Sequence, residues 1–428
     1  MTSIFPPKPA DKKHIYLDHA ATTYVDARVK EAMDPYFSEI FGNSSGLYQL
    51  GREARDALDA ARASVAQILD TQEDTIIFTS GGTESDNLAI LGVARKYAEK
   101  KLPGESKGHI VTTGVEHHAV LHACEQLQKE GFSVTYLPPD EQGFVSADQV
   151  RDALQDDTIL VSIMYANNEV GTVEPLADIG REILKWRKEK NTKYPYFHSD
   201  ACQAAGALPL GVEQLHVDLL TINGSKMYGP KGVGILYKRR GVPIQPLVFG
   251  GGQEMKLRAG TENVPLIVGF AKALELAQQE KDAENDRLIE LRAYFWKLIE
   301  ERIPKVRVNG PALGDATVRL PNNLNISILD IEGEALLLYL DEYGIVCSTG
   351  SACTSESLDP SHVLLACGLP YEYAHGSLRF TLGKRNTKAD IDYVMTYLPA
   401  IVERLREISP VNLSYDPNKN THAQYLQR

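Results

Sequence analysis

The chain has 428 residues, 43% hydrophobic and 24% charged, the balance of a globular protein with room for a large core. Lysine and arginine total 45 against 57 aspartate and glutamate, and the formal charge of -12 argues against broad nucleic-acid binding. No apolar run is long enough to cross a bilayer and the opening MTSIFPPKPADKK has no secretory apolar stretch, so a cytoplasmic protein is expected.

From about Asp26 to Lys238 strand and helix patterns alternate. Strands are predicted at 75–79, 109–112, 133–136, 159–163, 196–199, 219–222 and 234–237. Amphipathic stretches such as 54–69 and 179–186 lie between them. This alternation predicts an α/β fold with a mainly parallel seven-stranded sheet, whose ligand site gathers at the strand ends. Past Gly250-Gly251-Gly252 a long helical pattern (264–303) leads into short strands at 323–328 and 378–381, a smaller α+β domain. The tail from Pro410 is polar.

Five sparse cysteines (Cys124, Cys202, Cys347, Cys353 and Cys367) with no Cys-x-x-Cys pair make neither a disulfide framework nor a zinc site. His118 and His122 share a helical spacing, but no third ligand accompanies them in the sequence, and no metal is expected.

The polar clusters fall where strands end. Lys226 follows a strand within Asn223-Gly224-Ser225-Lys226-Met227-Tyr228-Gly229-Pro230-Lys231-Gly232 and lacks the ending of a phosphate-binding Walker loop. Taken alone it reads as a surface lysine; desolvated, it can form a Schiff base with an aldehyde. Asp200 closes another strand, where its carboxylate could hold a pyridine nitrogen protonated or cap the next helix. Gln203 follows three residues later. Thr79-Ser80-Gly81-Gly82-Thr83-Glu84, before a helix taken to start at Ser85, suits a phosphate or a plain capping turn. His117, or its neighbour His118, could lie against a ring and shuttle protons. Asn167-Asn168-Glu169-Val170-Gly171 adds polar contacts. Cys353 lies in Ser348-Thr349-Gly350-Ser351-Ala352-Cys353-Thr354-Ser355, a run too small and polar to pack as core.

Together these segments resemble the cysteine desulfurases of the NifS/IscS type, fold type I pyridoxal 5'-phosphate enzymes related to aspartate aminotransferase. The resemblance runs from Tyr16-Leu17-Asp18-His19-Ala20-Ala21-Thr22-Thr23 to about Arg385 and includes Arg258–Thr261. It implies a large cofactor-binding domain over 16–262, a small domain from 1–15 and 263–409 carrying the Cys353 loop, and a polar tail over 410–428. By the same resemblance Lys226 carries the cofactor, His117 stacks on its ring, and Asp200 pairs with the ring nitrogen. Asn168 and Gln203 approach the phenolic oxygen; Gly82, Thr83 and Ser225 hold the phosphate, with Thr261 reaching across from the second subunit of a homodimer. Arg379 clamps the carboxylate of L-cysteine, with Asn43 and Asn168 near it. Cys353 takes the sulfur as a persulfide, L-alanine leaves, and an acceptor such as an iron–sulfur scaffold or a tRNA-thiolation relay receives the sulfur.

Three positions depart from the family pattern. Asn223-Gly224-Ser225 stands where Ser-x-His is usual, Gly42-Asn43-Ser44-Ser45-Gly46-Leu47-Tyr48 replaces Gly-Asn-Pro-Ser-Ser-x-His, and Cys347 takes the place of a small residue. Rival readings are a selenocysteine lyase, an aminotransferase, or a non-catalytic scaffold that binds sulfur acceptors.

Overall fold

A computed structural model describes residues 5–9, 11–315, 317–349 and 360–413. Cys353 and the tail beyond 413 lie outside the described residues.

The strands are β1 (Ile15–Tyr16), β2 (Ile76–Thr79), β3 (His109–Thr113), β4 (Ser133–Leu137), β5 (Thr158–Ser162), β6 (Tyr196–Asp200), β7 (Leu219–Asn223), β8 (Gly234–Lys238), β9 (Val306–Val308), β10 (Asn323–Ile328), β11 (Ile345–Val346) and β12 (Ser377–Thr381). Seven of them form one sheet in the order β2-β8-β7-β6-β5-β3-β4. Neighbours from β7 to β4 run parallel, and β8 runs antiparallel to both β2 and β7. All seven strands expected from the sequence are present, each end within one residue of expectation. Residues of β5 and β6 are buried throughout, as parallel strands covered on both faces require.

Two smaller sheets complete the chain: antiparallel β12-β10-β9, and parallel β1-β11. Helix Val264–Arg302 joins them to the large sheet. Its first half packs Ile267, Phe270 and Leu274 into the core around that sheet. Its second half packs Leu288, Phe295 and Ile299 against Leu324, Ile326 and Phe380 of the small sheet. One helix therefore serves two cores. Just before the undescribed segment, Ser348 is tied to β12: its N–H donates to the Arg379 carbonyl, and the Arg379 N–H donates to the Ser348 carbonyl at 2.6 Å.

Between the sheets, the turn after β5 buries Glu174, whose Oε2 accepts the Val145 N–H at 3.0 Å. Its Oε1 has no hydrogen-bond partner among the described residues, and burial pushes the carboxyl from 4.5 up to about 8. Between those pH values the folded form keeps a proton that the unfolded chain has released, so stability falls as pH rises across the window. Glu174→Gln, neutral throughout, is expected to remove about 2–4 kcal/mol of that loss. Urea unfolding at pH 5 and pH 8 checks this; an equal pH dependence in the two proteins would refute it.

Candidate active site

The parallel strands deliver polar residues to one edge of the large sheet, because β3, β5, β6 and β7 all point the same way. Asp200 closes β6, is 7% exposed, and accepts the Cys202 N–H on Oδ1 at 2.8 Å. Lys226 ends a short 3-10 turn (Gly224–Lys226) directly after β7. Its Nζ donates to the carbonyls of Ala20 at 2.9 Å and Ala21 at 2.6 Å. Gln203 Nε2 donates to the same Ala20 carbonyl at 3.0 Å, so the amide and the amine converge on one atom.

His117 caps the helix His118–Lys129, its Nδ1 accepting the Ala119 N–H at 3.1 Å. An accepting Nδ1 leaves the proton of the neutral ring on Nε2. Burial lowers the His117 pKa most, Asp200 opposes that, and Lys226 adds to it. The charges of Asp200 and Lys226 thus both act on the His117 ring. His118 lies a ring contact further out, 5.0 Å from His122 and 4.7 Å from His362 between centroids. His362 is a third imidazole that sequence spacing did not reveal, yet no group among the described residues is arranged to hold a metal.

The phosphate segment differs from expectation at its start. The helix begins at Gly82, not at Ser85, with Gly81 as its N-cap. Gly82 and Thr83 therefore present first-turn N–H groups, which have no partner within a helix. At Gly81, with φ +150°, an added Cβ would meet nothing within 4 Å, which marks open space before the helix end. At Gly82 a Cβ would come within 2.8 Å of Cys202 Sγ and 3.5 Å of Asn223 Cβ. Ser225 is buried, its hydroxyl directed at Asn223 Oδ1 at 3.3 Å. Asn223, read as a departure from the family, thus lies at the cup together with Ser225.

These residues fit pyridoxal 5'-phosphate. A helix start with space in front of it suits the phosphate, a buried carboxylate suits the pyridinium, and a lysine within the same strand-end cluster suits the aldehyde.

Arg379, on β12 and 3% exposed, already has protein partners. Its Nη2 meets Asp18 Oδ1 at 2.7 Å and its Nη1 donates to the Asn168 carbonyl at 3.0 Å. Its buried Nε has no partner among the described residues. Asn168 thus joins the site through its backbone. Asn43 and Thr261 are exposed, on two segments linked through the Ser44 hydroxyl, which donates to Glu262 Oε2 at 2.7 Å. Arg258 pairs with Glu84 at 3.1 Å and so ties the 258–261 segment to the helix start at Gly82.

Sequence reading missed Asp86 and His198, both buried behind Asp200. The signal was present, since His198 and Asp200 are two apart on a strand and share a face, and Asp86 lies one helical turn past Gly82.

Residues 15–394 match the aminotransferase class-V family. The chain is 53% identical over 408 residues to cysteine desulfurase IscS of Clostridium botulinum, covering 95% of this chain and 99% of that one. It is 51% identical to the IscS of Methanosarcina thermophila, covering 94% and 95%. A NifS-like protein structure superposes with a TM-score of 0.82 at 37% identity, over 91% of this chain and 100% of that one. A structure of SspA in complex with cysteine has a TM-score of 0.72 at 37% identity, over 86% and 98%. Likeness over nearly the whole length, on a fold that clusters a lysine, an aspartate and a helix start, leads to one assignment: the chain belongs to the class-V aminotransferase family and, within it, to the cysteine desulfurases.

Proposed function

We propose that this chain takes sulfur from L-cysteine onto Cys353 and releases L-alanine, with Lys226 and Asp200 serving the bound cofactor. The observation that carries the reading is the convergence of Lys226, Gln203, His117 and Asp200 on one edge of the sheet. Pyridoxal 5'-phosphate, when bound, supplies an electron-withdrawing ring that acidifies the substrate Cα–H and stores the electrons.

Lys226 would hold the cofactor at its aldehyde carbon, and its amine is the base placed to accept the substrate Cα proton. Asp200 keeps a negative charge at the ring nitrogen. His117 lies along the ring and offers its Nε2 proton. Gly82, Thr83 and Ser225 bind the phosphate, and Asn168 and Gln203 border the phenolic oxygen. Arg379 binds the substrate carboxylate; its unpartnered Nε–H supplies the missing half of a bidentate pair, while Asp18 fixes the guanidinium from the other side. Asn43 is a weaker contact of the same kind. The Cys353 thiolate attacks the substrate sulfur. The new S–S bond forms as the Cβ–S bond breaks; the carbon fragment keeps the electron pair, takes a proton at Cβ, receives the Cα proton back from Lys226 and leaves as alanine.

In this reading 16–262 carries the cofactor, and 1–15 with 263–409 carries the Cys353 loop. The persulfide passes to an acceptor protein such as an iron–sulfur scaffold. Free cysteines at all four described positions favour a reducing compartment, the cytoplasm. Among the described residues no helix is long and apolar enough to cross a membrane. Incubation with L-cysteine and a reductant is expected to yield alanine and sulfide in equal amounts; alanine without sulfide would overturn the assignment.

Two copies complete the site in this proposal. Phe41, Leu47 and Phe249 are 65%, 90% and 75% exposed, on loops flanking the Ser44–Glu262 contact beside Thr261. Exposed apolar loops of this size suit a second copy of the chain. Sedimentation of the wild type is expected to give a dimer, and Leu47→Asp with Phe249→Asp a monomer with weaker cofactor binding. A monomeric wild type would remove Thr261 from the site.

A further inference from the structure

Behind Asp200 lies a second carboxyl group. Asp86 is 1% exposed on helix Gly82–Ala98 and faces His198 of β6, which is fully buried. His198 Nδ1 meets Ser162 Oγ at 2.8 Å, and its Nε2 meets Thr221 Oγ1 at 3.1 Å. Both ring nitrogens are therefore engaged by hydroxyls. Asp86 Oδ1 is 3.6 Å from that Nε2, beyond hydrogen-bond range. That oxygen has no hydrogen-bond partner among the described residues, and the Thr221 hydroxyl is the one neighbour that favours the charged form of Asp86.

An ionised oxygen buried without a donor is far more costly than a neutral acid in the same place. The surrounding charges point the same way. From β6 comes Asp200, whose charge makes a negative Asp86 less favourable; Glu116, in the turn before helix His118–Lys129, acts in the same sense, and burial pushes its own carboxyl well above the usual range. Cys202 adds a buried thiol, and the helix itself adds buried Cys124. β2, β5 and β7 bring no titratable side chain, and Tyr237 and Lys238 of β8 lie toward the opposite end of the sheet, level with Ile76. Burial lowers His198 to about 4, so it is a neutral ring.

We propose that Asp86 is a positioning residue that stands as a neutral carboxylic acid beside the bonded pair of His198 and Thr221, so that Asp200 is the one negative charge presented to the cofactor ring. The inference rests on the cofactor reading given above. It explains how two carboxyls, Asp86 and Asp200, share one buried region without repelling the chain apart. It also makes His198 and Thr221, bonded to one another, the neutral polar groups against which Asp86 stands.

Infrared spectra of the cofactor-free protein, with aspartate carboxyls labelled by ¹³C, test the protonation directly. A labelled acid carbonyl stretch is expected at neutral pH in the wild type and is expected to vanish in Asp86→Asn. Cofactor titration gives the second readout. Asp86→Leu, which replaces the polar group beside His198 and Thr221 with an apolar one of another shape, is expected to weaken binding about tenfold. Asp86→Asn, neutral and of the same shape, is expected to restore it to within about twofold of wild type. A wild type whose labelled aspartates are all ionised at neutral pH would overturn the proposal without need of any variant. So would Asp86→Asn binding as weakly as Asp86→Leu. Failure of the wild type to take up cofactor would instead sink the cofactor reading, and the infrared result would stand apart from it.

Discussion

Lys226→Ala is expected to lower turnover of L-cysteine at least about 10³-fold and to abolish the visible absorption of the cofactor-loaded protein. Two roles are lost together. The amine is the only lysine nitrogen placed at the carbonyls of Ala20 and Ala21 among the described residues, on the turn that follows β7. Without it the cofactor has no covalent anchor, and the Cα proton has no amine to receive it. A positioned general base contributes about 10²–10⁴ to a rate, so losing base and anchor together gives the size stated. Absorption spectra and steady-state alanine release check it. A coloured, fully active Lys226→Ala protein would remove the residue from the mechanism.

Cys353→Ser should retain the coloured cofactor yet release sulfide and alanine at least about 10³-fold more slowly. A serine hydroxyl is not ionised near neutral pH and does not accept sulfur. No other cysteine is placed to stand in. Cys124, Cys202, Cys347 and Cys367 are all buried and free. Burial pushes Cys124 and Cys367 up to about 12, and it raises Cys202 and Cys347 as well. A thiol with a pKa of 12 is about 10⁻⁵ thiolate at neutral pH, against a few per cent for an exposed one. Single-turnover measurement of both products decides the matter. Undiminished sulfide release by Cys353→Ser would mean that sulfur leaves without this thiol, and an aminotransferase reading predicts full activity in the same variant.

Features written locally in the chain were the ones that could be read from it. Strands such as Thr158–Ser162 are short apolar runs between turn formers, and a buried parallel strand has no other way to look. Lys226 and Asp200 announced themselves by standing at strand ends. The start of the helix Gly82–Ala98 was misjudged, because Gly82 and Thr83 are weak helix formers, and Gly82 is held close against Cys202 and Asn223 by the fold. Long-range pairings left no trace in local pattern. Arg379 reads as a free guanidinium, and only the fold brings Asp18, 361 positions away, to its side. The same holds for His362, which reaches His118 from beyond the Cys353 segment.

The bridge between Ser348 and Arg379 acts as a mooring for the thiol. Cys353 follows Ser348 by five positions, and a chain that short spans at most about 18 Å when drawn straight. The sulfur-bearing atom is thus leashed to the neighbourhood of the very arginine proposed to grip the substrate. Under the proposed function, a receiving protein would have to bring its own acceptor atom inside that radius, so delivery would be governed by how closely the visitor docks.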